Sequence, residues 1–261
     1  MFSSFSALTL QATTMPKMDG INSPALRKGD PEPPLTPGRG RIYALRFSPF
    51  AERVVLYAAA KGIDVEVVNV NLAEKPDWYI NKHPQCKVPS FERDGKIVIE
   101  SAIIAEYLDV LYPSSSILSM DPYLRATQKI IREQAAPLVD SFLGLFGVYG
   151  GSAKGDEAQA RVKKVEDALD VVEKLLKDDY FGGSSPGYGD WMLFPMVERV
   201  ALLSDAVALP FPSAARWPAL SRWWLCISVH PAAVAVMHPT DVHLGFMKTL
   251  TTGKPDPDYG I

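Results

Sequence analysis

The first part of the chain alternates apolar runs with short polar breaks. RIYALRF (41–47) is a β-like run, interrupted by Ser48-Pro49 and followed by the helical stretch AERVVLYAAAK (51–61), which Gly62 closes. Proline at the first helical position and glycine just past the end are the expected start and stop signals. VEVVNVNL (65–72) reads as a second strand. Farther on, VPSFE (88–92) and IVIE (97–100) flank the turn Arg93-Asp94-Gly95-Lys96, the pattern of a β-hairpin. The helix SAIIAEYLDVLY (101–112) ends before Pro113. The order β-α-β, then β-β-α, fits within about 75 residues and predicts a small α/β layer of thioredoxin-like arrangement.

Beyond the linker PSSSILSM the period changes. Residues 122–147, 156–177, 190–204, 218–229 and about 231–250 read as helices, with no convincing strand. Val162, Val165, Leu169, Val172 and Leu176 form one stripe, as a helix packed on one side requires. Trp217, Trp223 and Trp224 have core spacing and no basic cluster beside them, so they read as packing residues rather than a stacking platform. The expected organisation is an extension outside the fold over 1–40, an α/β domain over 41–113, a linker at 114–121 and an all-helical domain over 122–261. The extension is read as disordered because its Pro/Gly-rich text, DGINSPALRKGDPEPPLTPGRG, offers too little apolar surface to offset ordering.

Composition narrows the chemistry. In 261 residues, 27 Lys and Arg face 30 Asp and Glu, so bulk charge gives no attraction for nucleic acid or an anionic membrane. No run reaches the ~18 apolar residues of a membrane span. The N-terminal MFSSFSALTLQATTM has a broken apolar run without a basic start and does not read as a cleavable signal. The two cysteines, Cys86 and Cys226, have no zinc-ligand spacing, which points to a reducing, cytoplasmic setting without a structural metal. Cys226, inside SRWWLCISV, reads as a core thiol.

Function comes from motifs. RIYALRFSPFAERVVLYAAAKGI, NVNLAEKPDWY, VPSFE, IVIESAIIAEYLDVLYP, DPYLRATQK, YFGG ahead of GDWMLFPMVERV, and DYGI occur in this order over about 41–261. Together they resemble the omega-class glutathione transferases. The resemblance implies a thioredoxin-like glutathione-binding domain plus an all-α domain, a homodimer, and glutathione as co-substrate with a small electrophilic or oxidised partner. Two departures stand out. The omega pattern has Cys-Pro-Phe where this chain has Ser48-Pro49-Phe50. Gly187 also stands where the family has a Ser or Thr cap ahead of Asp190, a weakening of roughly a few tenths of a kcal/mol.

Ser48 lies between a strand and a helix N-terminus, where free N–H groups favour an anion. Moving a bound thiol from a pKa of ~8.5 to about 6.5 takes roughly 2.7 kcal/mol. The helix end supplies up to ~2 kcal/mol and a hydroxyl bond to charged sulfur ~1.5–3 kcal/mol. Serine forms no disulfide, so Ser48 points to thiolate activation and conjugation rather than thiol exchange. The plain alternative is a helix cap. By resemblance, glutathione contacts fall on Phe50, Lys75, Lys87, Val88, Pro89, Glu100 and Ser101, with a cis bond before Pro89 and Lys75 on the glycine carboxylate. Arg199 and His243 match acceptor-pocket positions, each with a bland reading as a helix ion pair and a partly exposed polar residue. Cys86, three residues before Pro89 and beside Lys87, is a displaced-nucleophile candidate or an idle loop thiol. Two rival functions remain: a dehydroascorbate reductase or thiol transferase impaired or engineered at position 48, and a non-catalytic glutathione or ligand carrier.

Overall fold

The computed structural model describes residues 18–261. Four strands form one sheet: β1 (Gly40–Ala44), β2 (Val65–Asn69), β3 (Ser90–Arg93) and β4 (Lys96–Ile99), in the order β2-β1-β3-β4. β1 and β2 run parallel, as a crossover through α1 (Pro49–Ala60) requires, whereas β3 joins antiparallel and turns through Asp94-Gly95 into β4. Ile42 faces Val67 on one side and Phe91 on the other. The hairpin leads into α2 (Ser101–Leu111). The α/β layer therefore has the expected element order.

The helical part comprises α3 (Pro122–Gln134), α4 (Ala136–Ser141), α5 (Gly144–Tyr149), α6 (Gly155–Leu175), α7 (Tyr188–Leu203), α8 (Pro218–Ile227), α9 (Pro231–Val234) and α10 (Thr240–Thr251). Two long helices expected from the pattern are broken. Pro137 sits near the start of α4 and ends the run from 122, and Pro239 stands before α10 and ends the run from 231. Proline removes a backbone donor and disfavours helix at the residue before it. α6 presents the predicted stripe, with Val165, Leu169 and Val172 fully buried. α7 is buried on nearly all sides and packs against α1, so one apolar core runs from Ile42 and Val54 through Trp191 and Leu193 to Val172 and Trp223. Trp217 and Trp223 are core residues as expected, their indole N–H groups donating to Asp170 and Asp190 at 2.7 Å each.

Gly187 does not loosen the start of α7. The Asp190 carboxylate accepts from the Gly187, Gly182 and Phe181 N–H groups at 2.7, 2.9 and 3.0 Å. A Cβ at 187 would stand 2.8 Å from the Gly182 Cα, so glycine is needed here for close backbone approach.

Two further expectations fail. The extension over 1–40 is not outside the fold from Met18 onward; residues 1–17 lie outside the described residues. Asp19 and Leu26 bridge to Glu66 and Val70, covering the β2 edge. Asn69 Nδ2 donates to the Gly20, Ile21 and Ser23 carbonyls, and Arg41 donates to those of Pro33 and Pro34 at 2.7 and 2.6 Å. This arm is held through its backbone, which its apolar content does not reveal. Asp258 completes the attachment, accepting from the Ala25 N–H at 2.7 Å and from Arg27 at 2.5 Å. The second failure is Cys226, which is exposed: Leu220, Trp223 and Ile227 form the buried face of α8 and leave the thiol on the other. No helix among the described residues is long and apolar enough to cross a membrane.

Candidate functional site

Ser48 caps α1. Its backbone is extended, and its Oγ accepts from the Ala51 N–H at 3.3 Å. In that arrangement the hydroxyl proton remains free to be donated. Two residues on, Phe50 forms one wall of a cavity of about 180 Å³, together with His83, Lys87, Val88, Pro89, Glu100 and Ser101. Six of the seven glutathione positions carried by resemblance thus line one cavity. Lys75, the seventh, is half-buried and is not a wall residue.

The walls are set by three local structures. The Val88-Pro89 bond is cis, and the loop before it is pinned where the Tyr79 hydroxyl donates to the Lys87 carbonyl at 2.8 Å. Glu100 has φ +69°, a left-handed conformation that costs a residue with a side chain about 1–3 kcal/mol. It turns the chain abruptly from β4 into α2, so that Ser101, 7% exposed, opens a helix with no acidic residue in its first turn. The free N–H groups there make an anion-binding end.

His83 was not anticipated from the sequence. Its ring is 2% exposed, and Nδ1 accepts from the Gln85 N–H at 3.2 Å, which leaves the proton of the neutral ring on Nε2. Burial pushes its pKa below the usual range, Glu100 opposing and Lys87 assisting. Its one sequence signal is its place in the loop leading to Pro89, shared with Cys86. Cys86 is a half-buried free thiol at φ +51° and is not among the wall residues.

Arg199 and His243 lie elsewhere, in a closed polar knot between the sheet end and the helices. Arg199 is 1% exposed; Nη1 pairs with Glu52 at 2.6 Å and with Glu198, and Nη2 donates to the Phe47 carbonyl at 3.2 Å. His243 is also 1% exposed, against Phe47 and His238, with neither ring nitrogen bonded. The acceptor-pocket reading of both residues is therefore corrected: one guanidinium is enclosed by two carboxylates and one imidazole by rings, so neither offers a surface to a substrate. Their chain neighbours Glu198 and Leu244 instead line an open cleft of about 480 Å³ with Trp224 and Phe211.

Residues 42–116 match the model of the glutathione S-transferase N-terminal domain, and 155–223 that of the C-terminal domain. Glutathione transferase omega-1 of Caenorhabditis elegans is 40% identical over 241 residues, 90% of this chain and 95% of the relative. Probable glutathione transferase omega-2 of Caenorhabditis briggsae is 41% identical over 256 residues, 95% of this chain and all of the relative. Among solved structures, a tau-class glutathione S-transferase from mango, Mangifera indica, superposes with a TM-score of 0.73 at 29% identity, over 82% of this chain and 100% of that one.

Proposed function

The chain belongs to the glutathione transferase family, with omega members among its relatives, and on that premise we propose that Ser48 activates glutathione bound in the Phe50–Ser101 cavity. The observation that carries this reading is the Ser48 hydroxyl itself: Oγ is held as an acceptor by the Ala51 N–H, so its proton is directed away from the helix. A glutathione sulfur beside it receives one O–H donor bond and the positive end of α1. The thiolate so favoured attacks a small electrophile: the sulfur lone pair forms the new bond and the leaving group departs with its electron pair. Serine need not ionise. Ser101 and the first turn of α2 take the γ-glutamyl carboxylate, Glu100 its ammonium, and the Val88 backbone the cysteinyl part. Lys87 adds positive charge at the rim.

The test is the ultraviolet thiolate absorbance of bound glutathione between about pH 5 and 9, bracketing the usual thiol pKa of ~8.5. A depressed pKa that rises in Ser48→Ala, with conjugation slowed roughly 10–150-fold for a lost ~1.5–3 kcal/mol bond, supports the mechanism. The same pKa in both proteins overturns it. Ser48→Cys is expected to lose conjugation and gain disulfide exchange with glutathione.

A second reading keeps thiol transferase chemistry on Cys86, whose loop contributes His83 and Lys87 to the same cavity. Glutathione disulfide exchange that disappears in Cys86→Ala supports it; unchanged exchange removes it. We further propose a homodimer. Ile103 and Val110 of α2 and Tyr123 and Leu124 of α3 are more than half exposed, and no residue of α3 is buried, an apolar face that a second copy would cover. Light scattering distinguishes dimer from monomer, and Ile103→Glu should shift the balance to monomer. Two unpaired cysteines support placement in the reducing cytosol.

A further inference from the structure

Glu100 presents a carboxylate that its own helix does not use. It stands in left-handed backbone at the start of α2, it is exposed, and its side chain makes no cap to the helix. It is also a wall of the 180 Å³ cavity. A glutamate of this kind loses rotamer freedom when a ligand orders it, and that loss weakens binding. His83, on the same cavity wall, is by contrast already ordered, with its ring 2% exposed. Its backbone N–H donates to the Tyr79 carbonyl at 3.2 Å, its carbonyl accepts from the Cys86 N–H at 2.8 Å, and Nδ1 accepts from the Gln85 N–H at 3.2 Å. The ring proton is therefore on Nε2, a donor whose direction the loop sets. Two charges act on the ring, Glu100 from the junction of β4 and α2 and Lys87 from its own loop, whereas α1 and α2 bring only Phe50 and Ser101 to the cavity. Burial outweighs Glu100 and holds the imidazole pKa below its usual value, which keeps the ring neutral at pH 7.

We propose that His83 is a positioning residue for an ammonium group of the ligand: its Nε2–H donates to one Glu100 carboxylate oxygen and leaves the other, with the full negative charge, to the ammonium. The inference rests on the glutathione reading of the site, in which that group is the γ-glutamyl ammonium. The role requires a neutral donor. A lysine in the same place would anchor the carboxylate but cancel the charge that attracts the ligand. Protonation of His83 has that same effect, so acid turns the anchor into a competitor: imidazolium and ligand ammonium then contend for one carboxylate. By linkage, a bound ammonium lowers the ring's pKa further, and each unit of that lowering costs about tenfold in affinity once the free protein carries the proton.

The experiment is titration calorimetry from about pH 7.5 to about pH 5.5, on either side of the ordinary imidazole pKa of ~6.5. The ligands are S-methylglutathione, whose sulfur cannot ionise, and S-methyl-glutaryl-cysteinyl-glycine, which lacks only the ammonium. The proteins are the unmodified chain, His83→Asn and His83→Phe. The unmodified chain should bind S-methylglutathione about tenfold more weakly at the acid end, with no such fall for the analogue. His83→Asn keeps a donor but takes up no proton, and should abolish the fall. His83→Phe removes the donor and should weaken S-methylglutathione about tenfold at the neutral end, while the analogue loses little. An affinity flat with pH in the unmodified chain overturns the inference, as does an acid fall that persists in His83→Asn or is shared by both ligands. Equal losses for both ligands in His83→Phe also overturn it and leave His83 as a purely structural residue. If one variant does not fold, the other carries the comparison by its own criterion. An unmodified chain that binds neither ligand overturns the reading of the site itself, a result distinct from all of these.

Discussion

Two polar regions lie one turn apart on α1. Toward α2, the Phe50–Ser101 cavity is lined by the Ser101 hydroxyl, the uncapped start of α2 and the His83 ring. Toward α7, Arg199 pairs with Glu52 and Glu198, with His238 Nε2 donating to the Arg46 carbonyl nearby at 3.0 Å. Both gather charged groups, and motif resemblance assigned function to both. Their difference lies in whether the polar groups face a void: Arg199 and His243 are each 1% exposed, whereas the polar residues toward α2 line a cavity. Where two carboxylates enclose the guanidinium, charge stabilises the joint between sheet and helices, although Arg199 Nε itself has no partner. Where donors are left facing a void, charge is available to a ligand.

The comparison breaks most visibly at Arg199. Arg199→Met leaves two carboxylates buried without their cation and should cost about 3–5 kcal/mol, read as a lower urea midpoint. Removing one carboxylate as well, in Arg199→Met with Glu52→Gln, should recover part of that loss. A midpoint that hardly moves would mean the knot is open to water. For variants that remain folded, glutathione affinity should be unchanged.

Acid acts on the same region. Burial, aided by Arg46, holds the His238 pKa down to about 4, while an unfolded chain has it near ~6.5. The unfolded state therefore binds the proton more readily, and stability is intact above about pH 6.5 and falls as pH drops toward 4, by about 3 kcal/mol in all. His243, pushed down by burial first and Arg199 second, acts in the same direction. His238→Asn should flatten the slope of stability against pH in that window; an unchanged slope would assign it to other groups.

At the cavity the effects on stability are smaller. Ser48→Ala removes a helix cap and should cost about 1 kcal/mol, well below the knot variant. Smallest is Lys75→Gln. Since Lys75 is not a cavity wall, glutathione affinity should change by less than the ~1 kcal/mol of an exposed ion pair. A larger loss by calorimetry would bring this lysine into the site and widen the open region beyond Phe50–Ser101.

Much of the fold was legible because its elements announce themselves through side-chain periodicity. Pro49 and Gly62 bracket α1, Asp94-Gly95 turns the hairpin, and the stripe from Val165 to Val172 faces the core. What escaped notice depends on other signals. The arm over 18–40 is attached by backbone groups to Asn69 and Arg41, so its proline-rich text looked unstructured. Pro137 and Pro239 were read through because apolar residues continue on both sides of them. Cys226 was placed by its apolar neighbours, although a helix turns it away from Trp223. In the site, resemblance located the walls from Phe50 to Ser101 but carried no information on exposure, and so Arg199 and His243 were assigned to a pocket they do not reach. His83 carries no motif; only the cavity brings it forward.

The clasp between Ala25 and Asp258 has a bearing on how the molecule is made. Its two partners are 233 positions apart, so the arm emerges from the ribosome early and finds its fastener late. At a synthesis rate of ~5–20 residues per second the interval is roughly 10–50 s. Through that time the β2 edge has its pairing segment and its bonds to Asn69 and Arg41 but not the last contact that clasps it, and a loosely guarded strand edge invites pairing with another nascent chain. Translation speed across the helical half therefore sets how long each newborn molecule carries an adhesive edge.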